Sequence, residues 1–403
     1  MKTLRSYQVD LSRQAVNILR EKRIVYLQFS VRTGKTATAL ETCKLYGAKK
    51  VLFVTKKKAI GSILDDYRDF GYTFDLTVIN NESLSRITDN DFDVVIQDEA
   101  HGMGAFPKPS NKAKQFKARF SRIPLILLSG TMASESYSQV YHQFWLSAYS
   151  PFSDFKNFYS WSKVFTQPSI KYVSYGTIND YSCAKIDLID KYIQPYILKF
   201  TQEEAGFKSK VNEKVIYFDS CNQKMIDKLK KNLVIEGKRE VVLADTGVKL
   251  VSKIHQLESG TIKFESGNSM VLDESKAEFI RDYFNGKKLA IFYYYIEEFH
   301  LLQFTFPNHT TDIDEFNATD KHYIGQQYSS AMGINLSAAD CLVFYNFGFS
   351  GTNYIQSIDR LTTINRNEND VYFVYGKGSL TEKIHQVVKQ KKNFTEAQFK
   401  KYI

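Results

Sequence analysis

The chain has 403 residues, 43% of them hydrophobic, a composition that excludes a disordered polymer and a length that exceeds one compact core, so two or three domains are expected. Lys and Arg (54) outnumber Asp and Glu (44) for a formal charge of +10, which favours a polyanionic partner. The four cysteines lie far apart with no CxxC pair, the N-terminus MKTLRSYQVDLSRQAV is charged from its start, and no apolar run reaches the roughly 18 residues that span a bilayer; a zinc site and a disulfide framework are not expected, and a cytoplasmic protein without a membrane partner is.

In chain order, IVYLQF from Ile24, VLFVT from Val51, DVVIQ from Asp93 and LILLS from Leu125 are short runs that are apolar at successive positions. Such runs suit strands covered on both faces, and helical patterns fall between them, so a doubly wound α/β layout with a mostly parallel sheet is expected. The region 137–267 has a different texture, rich in Tyr, Phe and Lys, and reads as a mostly helical connection. The α/β pattern returns with KLAIFYYY from Lys288, CLVFYN from Cys341 and VYFVY from Val371, which predicts a second lobe. The expected division is 1–200 for the first lobe, with a helical extension from about 137, then 201–267 for the connection and 268–403 for the second lobe.

VRTGKT, residues 31–36, follows the first predicted strand and opens the first predicted helix. In a phosphate-binding loop of this kind glycine lets backbone N–H groups turn inward, lysine supplies a mobile positive charge and a hydroxyl holds magnesium; Gly34, Lys35 and Thr36 fill those roles, with Thr33 beside them. The full GxxxxGK[ST] pattern needs glycine where Phe29 stands, and the GxGKT form needs it where Arg32 stands. Arg32 is compatible with phosphate, since its side chain can point outward or add charge beside the anion. VVIQDEAH, residues 94–101, then places Asp98 at a strand end to hold a magnesium-bound water, with Glu99 next to it to orient the attacking water. LLSGTMAS follows, with Ser129, Gly130 and Thr131 at the end of another strand. Together these motifs predict binding of a nucleoside triphosphate with Mg2+.

These motifs, in this order, resemble a superfamily-two DEAD/DEAH-type helicase core. The resemblance looks closest to compact Swi/Snf-like translocases encoded by bacteriophages, and it implies two RecA-like lobes with ATP and Mg2+ gripped in a cleft between them. LRSYQ resembles the adenine-reading segment, making Arg5 and Gln8 candidates; FVTKKKAI, with Thr55 and Lys56, and VINNESL, with Asn80, resemble segments that contact the nucleic-acid strand. Ser129, Gly130 and Thr131 resemble the segment that couples hydrolysis to motion, and His101 completes DEAH. In the second lobe YSSAMGINLSAADCLVFYN resembles the fifth motif through Ser330, Gly333 and Asn335, and QSIDRLTTINR resembles the sixth, with Gln356 and Arg360. The sixth motif departs from the QxxxRxxR pattern, because the second arginine, the finger on the transferring phosphoryl group, falls on Thr363; Arg366 or Arg360 alone is expected to take its part.

The implied activity is that of an ATP-dependent translocase or helicase on duplex or branched DNA, read through its backbone, in phage-type replication or recombination with a possible protein partner. Lys56, Lys57 and Lys58, and the cations from Lys108 to Arg122, are candidates for the track, although the second group reads equally well as a solvated helix. The run FYYYIEEFH from Phe292 could stack bases but is expected to be core. A nucleotide-gated clamp with weak turnover, favoured by Thr363, and an RNA helicase are the competing readings.

Overall fold

The computed structural model describes residues 2–133, 136–173, 176–219, 222–330, 334–363 and 366–390. The chain divides into two compact units, Met1–Phe207 and Lys208–Ile403.

The first unit opens with α1 (Ser6–Lys22), whose Leu11, Ala15 and Leu19 repeat every four residues and are buried. The helix ends where Arg23 turns into the left-handed region and its N–H bonds the Leu19 carbonyl. There follow β1 (Ile24–Phe29), α2 (Lys35–Tyr46), β2 (Lys50–Thr55), α3 (Ile60–Asp69), β3 (Asp75–Asn80), β4 (Val94–Gln97), α4 (Asn111–Phe120) and β5 (Leu125–Leu128). Then come α5 (Val140–Trp145), α6 (Phe158–Phe165), the antiparallel hairpin β6 (Ser169–Val173) and β7 (Gly176–Asp180), α7 (Ile186–Ile193) and β8 (Ile197–Phe200). The sheet runs β3-β2-β4-β5-β1-β8, and every neighbouring pair is parallel.

Successive residues of a central strand enter different cores, which is why these strands read as unbroken apolar runs. Ile24 and Tyr26 of β1, with Leu52 and Val54 of β2, join the core that contains Trp161 and Phe144. Val25, Leu27, Val51 and Phe53 join the opposite core with Leu11 and Leu40.

The second unit repeats the design. Its elements are β9 (Lys210–Tyr217), α8 (Gln223–Asn232), the hairpin β10 (Val234–Glu236) and β11 (Val241–Leu243), α9 (Gly247–Glu258), the hairpin β12 (Thr261–Lys263) and β13 (Ser269–Val271), and α10 (Ser275–Tyr283). They continue with β14 (Leu289–Tyr293), α11 (Ile296–Thr305), β15 (His309–Thr310), α12 (Ile313–Ala318), β16 (His322–Gln326), α13 (Gln327–Ser330), β17 (Cys341–Phe344), α14 (Gly351–Ile358), β18 (Glu368–Tyr375) and α15 (Leu380–Lys389). The sheet order is β15-β16-β14-β17-β18-β9, again wholly parallel. Each unit thus has the helix-flanked parallel sheet of a RecA-like lobe.

The stretch 137–267, expected as a helical connection, instead supplies an edge strand to each sheet. β8 borders β1, and β9 pairs with β18 along its whole length, so the units part at Phe207 and Lys208 and no separate connecting unit stands between them. Edge strands with an open side carry charge, here Lys199 in β8 and Lys210, Glu213 and Lys214 in β9, and so lack the apolar signature of the inner strands. In the run from Phe292 only Phe292 and Glu298 are buried; the three tyrosines are half-buried, Ile296 and His300 are exposed, and the Tyr295 hydroxyl lies 3.0 Å from His255 Nδ1. Among the described residues no helix is long and apolar enough to cross a membrane.

His385 on α15 is sandwiched by hydroxyls, with Tyr354 at 3.0 Å from Nε2 and Tyr375 at 2.8 Å from Nδ1, and its ring stacks on Phe373. One ring nitrogen accepts and the other donates only while the imidazole is neutral, and burial pushes its pKa down to about 4. A folded-state pKa below the unfolded value means that stability is complete above pH 6.5 and is lost as the pH falls toward 4. His385→Phe should therefore flatten the decline in unfolding free energy between pH 7 and 5 by up to about 2 kcal/mol, as read by urea titration at each pH.

Candidate nucleotide-binding site

The carboxyl ends of β1, β4 and β5 carry the predicted phosphate loop, the acid pair and the SGT segment, and parallel pairing sets them on one edge of the first unit's sheet. Arg32 adopts φ 62° and Gly34 φ 83°, so Arg32 takes up the left-handed backbone for which glycine is the usual choice. Thr33 is buried and its hydroxyl donates to the Ser30 carbonyl at 2.8 Å, while the Gln202 amide donates to the Val31 carbonyl at 3.1 Å. The loop is pinned from both sides.

α2 starts at Lys35 with no side-chain cap on its first turn, so its N-terminal N–H groups and dipole suit an anion. The Lys35 ammonium donates to the carbonyls of Phe29 at 2.9 Å and Ser30 at 3.1 Å, and a Cβ on Gly130 would lie 3.9 Å from it. Thr36 is the second residue of this helix. Gln8 is buried against the loop: a Cβ on Gly34 would stand 2.0 Å from Gln8 Nε2, and Gln8 Oε1 accepts the Arg5 N–H at 2.9 Å. The Arg5 guanidinium is exposed and donates to the Tyr7 hydroxyl at 2.9 Å. This donor set, an uncapped helix start with a lysine beside it, fits a polyphosphate.

Asp98 follows β4. Its Oδ2 accepts from the Thr55 hydroxyl at 2.7 Å and its Oδ1 from the Glu99 N–H at 2.9 Å. Burial, and then the neighbouring Glu99 charge, raise its pKa to about 6, against the pull of the Thr55 hydroxyl and the Lys35 charge. Glu99 sits at φ 49°, a second strained residue beside the loop. His101 Nδ1 lies 2.9 Å from Ser129 Oγ and 3.2 Å from Glu99 Oε2. The Ser129 hydroxyl already donates to the Thr131 carbonyl at 2.7 Å, so both partners of Nδ1 are acceptors and Nδ1 carries the proton. Burial holds the His101 pKa down at about 4, which keeps the ring neutral. The Thr131 N–H returns to Ser129 Oγ at 3.2 Å, closing the turn around Gly130.

The candidates for strand contact are placed unevenly. Thr55 is fully buried, and its hydroxyl is turned to Asp98 and not to the surface. Lys56 is half-buried; desolvation lowers its pKa while Glu99 and Asp98 raise it, so it belongs as much to the acid pair as to a track. Asn80 ends β3 opposite Thr55. In the basic run after DEAH, Lys112 pairs with Glu82, Lys117 lies 4.0 Å from the Trp145 ring centroid, and Arg119 donates to the carbonyls of Leu84 and Ile87. Half of that run is therefore engaged in holding the lobe together.

In the second unit Gly333 lies outside the described residues. Asn335 Oδ1 accepts the Ser337 N–H at 3.2 Å and so shapes a turn. Ser330 is buried with its hydroxyl 3.1 Å from that of Tyr323, in space left by Gly325, which removes it from any surface contact. Arg360 is buried, its Nε donating to the Gln356 carbonyl at 2.6 Å one turn back on α14. Arg366 is committed to backbone: it donates to the carbonyls of Ser337 at 3.2 Å, Ala339 at 2.6 Å, Asp340 at 2.6 Å and Glu368 at 3.1 Å. A guanidinium so engaged within its own unit stitches the loops that feed β17 and β18.

Sequence reading passed over Gln97 and Asn81, which bond one another beside Asp98, and Gln143, whose amide donates to the Met132 carbonyl at 2.6 Å and ties the SGT segment to α5. The signal for Gln97 was an amide inside an otherwise apolar strand. A cavity of about 630 Å³ at the carboxyl edge of the second sheet, lined by Tyr294, Gln326, Tyr328, Gly348, Ser350 and Asn353, was also not anticipated.

No protein-family model matches the chain, and no curated protein does. Among solved structures it is similar to the Sulfolobus solfataricus SWI2/SNF2 ATPase core in complex with dsDNA, at 16% identity and a TM-score of 0.45, over 100% of this chain and 93% of that one.

Arg32→Gly should raise the unfolding free energy by up to about 1 kcal/mol, measured by chemical denaturation, because the left-handed backbone then carries no side chain. Arg366→Ala should lower it by about 2 kcal/mol or more, through four carbonyls losing their donor; loss of ATP turnover without destabilisation would return Arg366 to the reaction.

Proposed function

We propose that the chain is a nucleic-acid-dependent ATPase, a translocase or helicase that moves on or remodels duplex or branched DNA. The observation that carries this reading is the convergence of Lys35, Asp98, Glu99, His101 and Ser129 at one sheet edge. In it Lys35 and the N-terminus of α2 receive the β- and γ-phosphates, Thr36 and Asp98 hold Mg2+, which when bound neutralises developing charge, and Glu99 accepts a proton from the attacking water. His101, neutral and tied to Ser129, reports the state of that site to the SGT segment. Gln8 and Arg5 flank the loop on the side proposed for the base. With Arg366 committed elsewhere, Arg360 is our candidate for the arginine that acts on the phosphoryl group.

The charge of +10 supports a phosphate-backbone track, and the sequence resemblance supports DNA over RNA and a phage-type role in replication or recombination, in the host cytoplasm and with a protein partner. Thr363 at the finger position, together with the engagement of Arg366, favours one second reading, a nucleotide-gated clamp with weak turnover.

ATP turnover titrated with single-stranded, duplex and forked DNA and with RNA at fixed salt tests the proposal. Duplex or forked DNA should stimulate most; a rate indifferent to all four would sink the motor, and preference for RNA would change the track. Glu99→Gln should retain ATP binding and lose about 10²-fold or more in turnover, and Arg360→Ala should lose as much. Displacement of a third strand from a triplex, which a clamp cannot perform, separates the two readings.

A further inference from the structure

The carboxyl ends of β2, β3 and β4 are stapled together at the level of Asp98 by a closed ring of hydrogen bonds. The Thr55 hydroxyl donates to Asp98 Oδ2 at 2.7 Å, and the Thr55 carbonyl accepts from Asn81 Nδ2 at 3.1 Å. Asn81 Oδ1 in turn accepts from Gln97 Nε2 at 3.3 Å, and the same amide reaches the Asp98 carbonyl at 2.7 Å. Thr55 and Gln97 are buried to within 1% of full burial. Hydrogen bonds in so dry a setting are stronger than in water and orient what they hold.

The ring's chain neighbours point to its use. Lys56 follows Thr55, and Asn80 and Glu82 flank Asn81; these residues come from the two segments whose resemblance to strand-contacting segments implies contact with a phosphate backbone. The Thr55 hydroxyl ties the first segment directly to the Asp98 carboxylate, and Asn81 ties the second to it through the Thr55 carbonyl and Gln97, so a displacement of either segment is passed to the bonds that orient Asp98. Two buried acceptors border the ring with no protein partner, Gln97 Oε1 and Asn80 Oδ1. Buried orphan acceptors are uncommon and cost on the order of 1–3 kcal/mol, so a second arrangement that satisfies them lies within reach in energy.

We infer that Thr55 is a positioning residue: through its hydroxyl and the Asn81–Gln97 ring it sets the orientation of Asp98 according to whether the backbone-contacting segments are occupied. The inference rests on the proposed function and deepens it, giving the route by which nucleic acid would be felt at the nucleotide.

Thr55→Val keeps the shape and removes the hydroxyl, Thr55→Ser keeps the hydroxyl, and Asn81→Ala opens the ring on its far side. Binding of a fluorescent ADP analogue to the full chain, with and without Mg2+, reads Asp98 without any turnover. Thr55→Val should lose about 10-fold or more of the Mg2+-dependent gain in affinity while its Mg2+-free affinity stays within about twofold, and Thr55→Ser should restore the gain. In parallel, Thr55→Val and Asn81→Ala should lower the fold-stimulation of turnover by DNA, and Thr55→Val should raise KM for Mg·ATP more than it lowers kcat. A Thr55→Val protein with the wild-type Mg2+ gain and stimulation overturns the inference while leaving the ATPase intact, as does a variant that loses thermal stability alone. Should the wild-type chain fail to hydrolyse ATP under any condition, the proposed function falls, and the Mg2+-dependent binding still decides the role of Thr55.

Discussion

A carboxylate placed at the end of a buried strand is the constraint around which the first unit is arranged. Asp98 leaves water to stand beside a second acid, and either effect alone opposes its charge. The opposing forces are local: one hydroxyl from the neighbouring strand, one backbone N–H from Glu99 and the charge of Lys35 at the start of α2. Each depends on parallel pairing, because only crossover connections bring the carboxyl ends of successive strands to the same edge of the sheet. The apolar strands with their two covering cores are thus the support for an acid that could not be held on a mobile loop.

Strain gathers at that edge. Arg32 and Glu99 both occupy left-handed backbone, at about 1 kcal/mol or more each, and one lies in the loop before α2 while the other adjoins Asp98. The surrounding bonds hold them there: Thr33 to Ser30, Gln202 to Val31, His101 to Ser129. A glycine at 32 would relax the loop, so the arginine is tolerated because tertiary bonds fix the backbone first.

The second unit solves a different problem with the same chemistry. Glu298 accepts the N–H groups of Tyr294 and Tyr295 and the amide of Asn346, and Glu258 accepts those of Leu380 and Thr381. Burial raises both pKa values, and these donors offset it. Arg366 does for carbonyls what these glutamates do for N–H groups. In this unit the buried glutamates Glu258 and Glu298 serve as fasteners.

Patterns set by adjacent residues were legible without coordinates. IVYLQF, VVIQ, LILL and CLVF are strands because a two-sided core accommodates such apolar runs, and the segments GKT and DEAH stand at the ends of two of them, as their spacing along the chain implied. The edge strands β8 and β9 were not legible, since an open side admits lysine and glutamate and erases the signal. Nor were the destinations of single polar atoms. Whether the hydroxyl of Thr55 faces a track or Asp98, whether Ser330 is surface or core, and whether Arg366 reaches a ligand or its own backbone depend on which groups the fold brings within 3 Å, and residues distant in sequence decide that.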